Sequence, residues 1–159
     1  MKILVIGGAG FIGSHLCEAY SANHDVTSID NYISGKTENH IDNVEYINMD
    51  AENILSIDRK FDIIFHLGEY SRVEQSLTRI DFVLKNNMSP ILNVLKFARK
   101  SCAKLIYAGS STKFADFGEN KLKSPYSFSK WQNSELVKFY CELNQMPYAI
   151  TYFYNVYGG

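Results

Sequence analysis

The sequence predicts an α/β fold of the doubly wound class: a parallel sheet of about six strands with helices on both faces. Three observations carry this. Apolar, β-branched or aromatic runs recur at 2–8, 26–30, 44–49, 61–68, 104–110 and 148–157; helix-compatible segments separate most of them; and a glycine-rich turn joins the first run to the first helix. With 159 residues, 46% of them hydrophobic, the chain suits one well-buried domain, and residues 1–159 are read as a single unit.

The first run, Ile3-Leu4-Val5-Ile6, is too short for a signal-peptide core and reads as a strand. After it, Ile12, Leu16, Ala19 and Tyr20 share one helical face, and the stretch turns near Asn23-His24-Asp25. A second strand then ends in Asp30, which closes a βαβ unit of about 30 residues. The pattern over 81–99 predicts a long helix with Pro90 as a kink or reset point, because proline lacks an N–H and crowds the preceding turn. Pro125 sits where a first-turn proline belongs, ahead of a helix over 126–144 whose buried stripe is Leu136, Tyr140 and Leu143. The long polar connections are 31–43 and 113–124. Both follow strands, where α/β sites are built.

Sixteen basic against 17 acidic side chains give a formal charge of −1. No stretch gathers the Lys and Arg that a nucleic acid or an anionic membrane surface requires. No apolar run approaches the roughly 20 residues of a membrane helix, so a soluble cytoplasmic protein is expected. Cys17, Cys102 and Cys141 form no CxxC pair and read as reduced core thiols, and no metal is expected.

The segment Gly7-Gly8-Ala9-Gly10-Phe11-Ile12-Gly13 has GxxGxxG spacing between a strand and a helix. Small residues there allow the tight turn, the approach of backbone to a pyrophosphate, and close helix–strand packing, and they leave helix-terminal N–H groups facing the anion. Asp30 follows Gly13 by 17 residues, near the spacing of a ribose-binding carboxylate. An acid there disfavours the 2′-phosphate of NADP and makes NAD the preferred cofactor, although Lys36 nearby would attract a phosphate.

Tyr126-Ser127-Phe128-Ser129-Lys130 is a YxxxK pattern whose ends share a helical face. Among 11 tyrosines such a match also arises by chance, and Tyr32 to Lys36 is a second one. Context separates them, because the Tyr32 pair spans a glycine in a loop, while the Tyr126 pair follows Pro125 and continues into a helix. A phenol is a poor base at neutral pH, and an ammonium one turn away favours the phenolate. Ser110, at the end of the fifth run, is placed to hydrogen-bond a reacting oxygen.

Taken together, GGAGFIGSHL at 7–16, the acid at Asp30, HLGEYSRVEQS at 66–76, the serine strand end, SPYSFSK at 124–130 and YNVYG at 154–158 resemble the NAD-dependent sugar-nucleotide epimerase/dehydratases. These are extended short-chain dehydrogenase/reductases with a Rossmann-type sheet, here most similar to the UDP-glucose 4-epimerase branch. The resemblance implies a pyrophosphate over Gly7, Gly10, Phe11, Ile12 and Gly13, an adenosine ribose at Asp30 and Asn31, and an adenine beside Asp50 and Ala51. Leu67, Gly68 and Glu69 would line the nicotinamide side, with Ser34, Gly35, Asn87 and Ala108 completing the cofactor set. Ser110, Tyr126 and Lys130 match the catalytic residues. In that role Lys130 also holds the nicotinamide ribose. Tyr154 and Asn155 match the aromatic and the amide beside nicotinamide and substrate, and His66 reads as a core histidine.

The implied reaction is removal of hydride from a sugar carbon to NAD with proton transfer to Tyr126, then return of hydride to the other face of a keto-sugar. A net NAD(P)-dependent sugar-nucleotide reductase or dehydrogenase is one alternative, and a non-catalytic NAD-binding sensor or partner subunit is another. Three departures qualify the resemblance. Phe114 stands where the family usually has tyrosine. Ser111-Thr112 replaces the Asp-Glu pair of the dehydratases, which argues against a 4,6-dehydratase. The connection to Tyr126 is short, with a polar loop over 116–123 at the substrate entrance. Family members are about twice as long, so the C-terminal substrate domain is expected to be absent and a homodimer or partner chain is expected to cover the cleft.

Overall fold

The computed structural model describes residues 1–158, apart from the side chains of residues 115 and 116. Six strands, β1 (Lys2–Ile6), β2 (Asp25–Asp30), β3 (Val44–Asn48), β4 (Ile63–His66), β5 (Lys104–Ser110) and β6 (Tyr148–Phe153), form one sheet in the order β3-β2-β1-β4-β5-β6. Every pairing is parallel. This is the Rossmann order, and the class predicted from the alternating pattern is the one observed.

Alternation along β1 divides the interior. Leu4 and Ile6 face a core with Ile29, Ile64, Leu105 and Tyr107, while Ile3 and Val5 face a smaller one with Val26, Phe65 and Cys17. Helix α1 (Phe11–Ser21) covers the smaller side through Cys17, Leu16 and Tyr20. On the larger side lie α4 (Ile91–Ser101) and α5 (Pro125–Leu143), and α2 (Val73–Thr78) and α3 (Ile80–Met88) pack against α5. Val94, Leu95, Phe97 and Ala98 of α4 and Val137 and Cys141 of α5 fill that core.

The predicted helix over 81–99 is two helices, reset at Pro90, which is the N-cap residue of α4. The α2 turn has no counterpart in the sequence pattern, since six residues show too little periodicity to be read. The expected polar loop over 116–123 is largely a 3-10 helix, Ala115–Leu122. Leu136 and Tyr140 pack against the core as expected, but Leu143 is 69% exposed. It is the last residue of α5, one before the C-cap Asn144. Cys102 is likewise exposed, in the left-handed C-cap position of α4, whereas Cys17 and Cys141 are buried. No described helix is long and apolar enough to cross a membrane.

Candidate functional site

Strand order reverses between β2-β1 and β4, and the crevice outside the carboxyl ends of those strands is where such sheets hold ligands. A cleft of about 890 Å³ opens there. It is bordered by the glycine turn, by Asp30, Asn31, Ser34, Asp50 and Ala51 at one end, and by Leu67, Gly68, Glu69, Ala108, Ser110, Tyr126, Lys130, Tyr154 and Asn155 at the other. Of the residues singled out from sequence, Gly35 and Asn87 are not on its wall.

At the glycine turn, Gly7 has φ +89°, and a Cβ there would meet the Gly68 backbone nitrogen at 2.7 Å. At Gly13 a Cβ would stand 2.1 Å from the Gly7 carbonyl oxygen. Only glycine lets α1 start this close to β1. The N-cap, Gly10, makes no side-chain cap hydrogen bond, and the first turn of α1 carries no acid. Free N–H groups and the positive end of the helix dipole are thereby left to an anion. These features fit a dinucleotide pyrophosphate.

Asp30 is buried at the end of β2, where its carboxylate accepts the Ala9 N–H at 3.0 Å and the Tyr32 N–H at 2.8 Å. Gly35 passes directly over it, and a Cβ there would lie 2.8 Å from the carboxylate. Its contribution is therefore to let the loop close over Asp30. The Ala9 carbonyl accepts from the Lys36 N–H at 3.0 Å and the Asn39 amide at 2.8 Å, which ties that loop to the glycine turn. Asn31 donates to Asp50 at 3.2 Å, and Asp50 caps the 3-10 helix Ala51–Ser56. The competing YxxxK match lies in this loop, where Tyr32 has φ 55° and pairs with His40.

At the other end, Ser124 caps α5 by accepting the Ser127 N–H at 3.0 Å, and Pro125 opens the first turn. Tyr126 and Lys130 then project one turn apart. Ser110 ends β5, and its Oγ accepts from Thr112 Oγ1 at 3.0 Å and from the Thr112 N–H at 3.3 Å. Ser110 also borders the cleft. Phe114 packs edge-on against Tyr152, with ring centroids 4.8 Å apart, and is not on the cleft wall.

Beneath this surface lies a polar cluster that sequence reasoning missed. Lys130 is 5% exposed, and its ammonium donates to the Ala108 carbonyl and to Glu69 Oε2, each at 2.7 Å. The other donors to Glu69 are the Tyr107 hydroxyl, at 2.9 and 3.0 Å to its two oxygens, and the Asn133 amide, at 2.9 Å. The Glu69 carboxylate is thus engaged within the cluster, while the residue itself borders the cleft beside Leu67 and Gly68. Asn87 is fully buried, and its amide is consumed by the Tyr70 N–H and carbonyl and by Ser129 Oγ. It holds the segment after β4 against α3 and α5. Burial first, and the neighbouring carboxylate second, push the Tyr107 phenol well above its ordinary value of 10. The available signal was a run of inward polar positions on α5, with Ser127, Lys130, Asn133 and Ser134 too polar for a packed stripe.

His66 is a buried core histidine, with neither ring nitrogen hydrogen-bonded and Nε2 3.6 Å from Glu69. Burial lowers its pKa from 6.5 to about 4, against the opposing pull of Glu69. The unfolded chain therefore takes up this proton near pH 6.5 and the folded chain only near pH 4. The stabilisation is complete above pH 6.5 and is lost as pH falls toward 4, by about 3 kcal/mol. Urea unfolding at pH 7 and pH 4.5 should show His66→Phe losing less stability than the wild type by about 2 kcal/mol, the part of that loss falling within this window. Equal losses would mean that the folded protein accepts the proton freely.

Residues 3–159 match the NAD dependent epimerase/dehydratase family. A UDP-N-acetyl-alpha-D-glucosaminuronate decarboxylase of Bacillus cytotoxicus is 28% identical over 177 residues, covering 99% of this chain and 55% of the relative. The UDP-N-acetylglucosamine 4-epimerase of Methanobrevibacter ruminantium M1, solved with UDP-N-acetylmuramic acid, superposes with a TM-score of 0.86 at 29% identity, covering 99% of this chain and 56% of that one. The UDP-glucose 4-epimerase of Thermus thermophilus, solved with NAD, gives a TM-score of 0.86 at 27% identity, over 99% of this chain and 56% of that one. The chain spans about half the length of the curated relatives it matches. With a Rossmann sheet, a close glycine turn opening α1, and Ser110, Tyr126 and Lys130 on one cleft wall, the chain belongs to the NAD-dependent epimerase/dehydratase family, whose cofactor is NAD.

Proposed function

We propose that these residues form the NAD-binding, catalytic part of a sugar-nucleotide epimerase. The observation that carries this reading is that one cleft joins the glycine turn and Asp30 to Ser110, Tyr126 and Lys130. NAD, held by the α1 N-terminus, Asp30 and the walls at Ala51 and Leu67, would supply a two-electron acceptor that is regenerated in each cycle. Tyr126 takes the proton of a sugar hydroxyl and later returns it, Ser110 donates a hydrogen bond to the reacting oxygen, and Lys130 brings its ammonium one helical turn from Tyr126. Residues 1–159 are read as the NAD-binding domain, and the grip on the nucleoside diphosphate is assigned to a segment outside them or to a partner chain, in a homodimer for example.

Calorimetric titration with NAD, followed by a panel of UDP-, GDP-, CDP-, ADP- and dTDP-sugars, tests the reading. Interconversion of one sugar nucleotide without net NADH supports it. Accumulating NADH would indicate a dehydrogenase, and release of carbon dioxide from a uronic acid substrate would place the chain with its decarboxylase relatives. NAD binding without any sugar-nucleotide binding would leave a cofactor-binding subunit. Because Asp30 faces the ribose end of the cleft, NADP is expected to bind about tenfold more weakly than NAD, through carboxylate–phosphate repulsion. Equal affinity in the same calorimeter would remove Asp30 from the ribose site.

A further inference from the structure

We propose that Glu69 is the counter-ion of Lys130, a positioning residue that pins the ammonium and sets how strongly it favours the Tyr126 phenolate. The inference rests on the catalytic reading of Tyr126 and Lys130. A carboxylate oxygen 2.7 Å from the ammonium, with both side chains withdrawn from water, cancels most of the field that the lysine alone would project. The pinning is complete from both sides. The Ala108 carbonyl on β5 takes a second ammonium proton, while Tyr107 on β5 and Asn133 on α5 hold Glu69 through both of its oxygens. Asn133 is itself fixed by donating to the Asn87 carbonyl on α3, at 2.8 Å.

The groups around the pair do not restore the lost charge. His66, from β4, is neutral at physiological pH, since burial holds its pKa at about 4, and Tyr107 keeps its phenolic proton. Lys130 is thus the one cation of the cluster and Glu69 its one anion, among the described residues. The electrostatic influence on Tyr126 is that of a pair, and it strengthens whenever the carboxylate is withdrawn.

The test compares Glu69→Gln and Glu69→Asp with the wild type. Glutamine keeps the shape and removes the charge; aspartate keeps the charge and draws it back by one methylene. Tyrosinate absorbance is titrated in the NAD-free chain, with Tyr126→Phe subtracted as the blank, and the acidic limb of the kcat/KM–pH profile is recorded for each variant. Both readouts are expected to move to lower pH, by about one unit in Glu69→Gln and by less in Glu69→Asp. If Glu69→Gln does not accumulate as folded protein, a downward shift in Glu69→Asp carries the same conclusion. Unmoved titrations, or upward ones, would overturn the proposal, and a purely structural role predicts that aspartate disturbs activity more than glutamine with no movement of the limb. The absorbance needs neither NAD nor sugar nucleotide, so failure of the epimerase reading would show only in the kinetic arm.

Discussion

Replacing Tyr126 by phenylalanine is expected to slow sugar-nucleotide turnover by about 10²–10⁴-fold, the range carried by a positioned acid–base group, while NAD affinity stays nearly unchanged. The ring is half-buried on the first turn of α5, a turn set by the Ser124 cap and by Pro125, so the variant keeps its packing and helix start. What it loses is the hydroxyl facing the cleft. Ser110 is a poor substitute, because a neutral hydroxyl whose Oγ is already tied to Thr112 does not take up a proton at neutral pH. Turnover followed by NMR of the sugar anomeric signals, with calorimetric NAD binding in parallel, separates the two effects. Wild-type turnover would sink the catalytic assignment, and a matching loss of NAD binding would make Tyr126 a cofactor contact instead of a proton carrier.

Lys130→Met should lower stability by about 3–5 kcal/mol at neutral pH, the usual consequence of leaving one member of a buried ion pair alone. Methionine replaces most of the aliphatic stem, so little of the loss comes from packing. The cost arises at Glu69, whose side chain is fully buried and whose remaining donors, Tyr107 and Asn133, are uncharged. Removing both charges together avoids that cost, and the double variant Lys130→Met with Glu69→Gln should recover most of the stability. Urea unfolding of the two single variants and the double variant closes the cycle. A single-variant loss below about 1 kcal/mol, typical of exposed pairs, would show that water reaches Glu69.

These two residues show where sequence reading stops. Tyr126 and Lys130 were legible because their spacing, the preceding proline and the serine at the end of β5 are all local, and helix geometry alone places i and i+4 on one face. The sheet was legible for the same kind of reason: strands read as apolar runs, and GxxGxxG between strand and helix requires backbones to approach closely, as the positive φ of Gly7 and the 2.1 Å clash at Gly13 confirm. Asp30 followed from its distance along the chain.

The sequence sets Glu69 and Asn87 on the cofactor side but does not say which way either side chain turns or what it bonds, because that depends on segments far away in the chain. The structure turns both inward, since β4, β5, α3 and α5 meet beneath the cleft and a buried ammonium must find a carboxylate there. Gly35 is a similar case, belonging to the loop over Asp30 and not to the cleft wall. By itself the sequence determined the fold class, the close glycine turn between β1 and α1, and the one-turn spacing of Tyr126 and Lys130 on α5, all carried by short-range spacing and backbone sterics. Only the tertiary structure decided the electrostatics of Lys130, because its partners Glu69 and Ala108 lie on two other segments of the chain, and desolvation acts on whatever packing brings together.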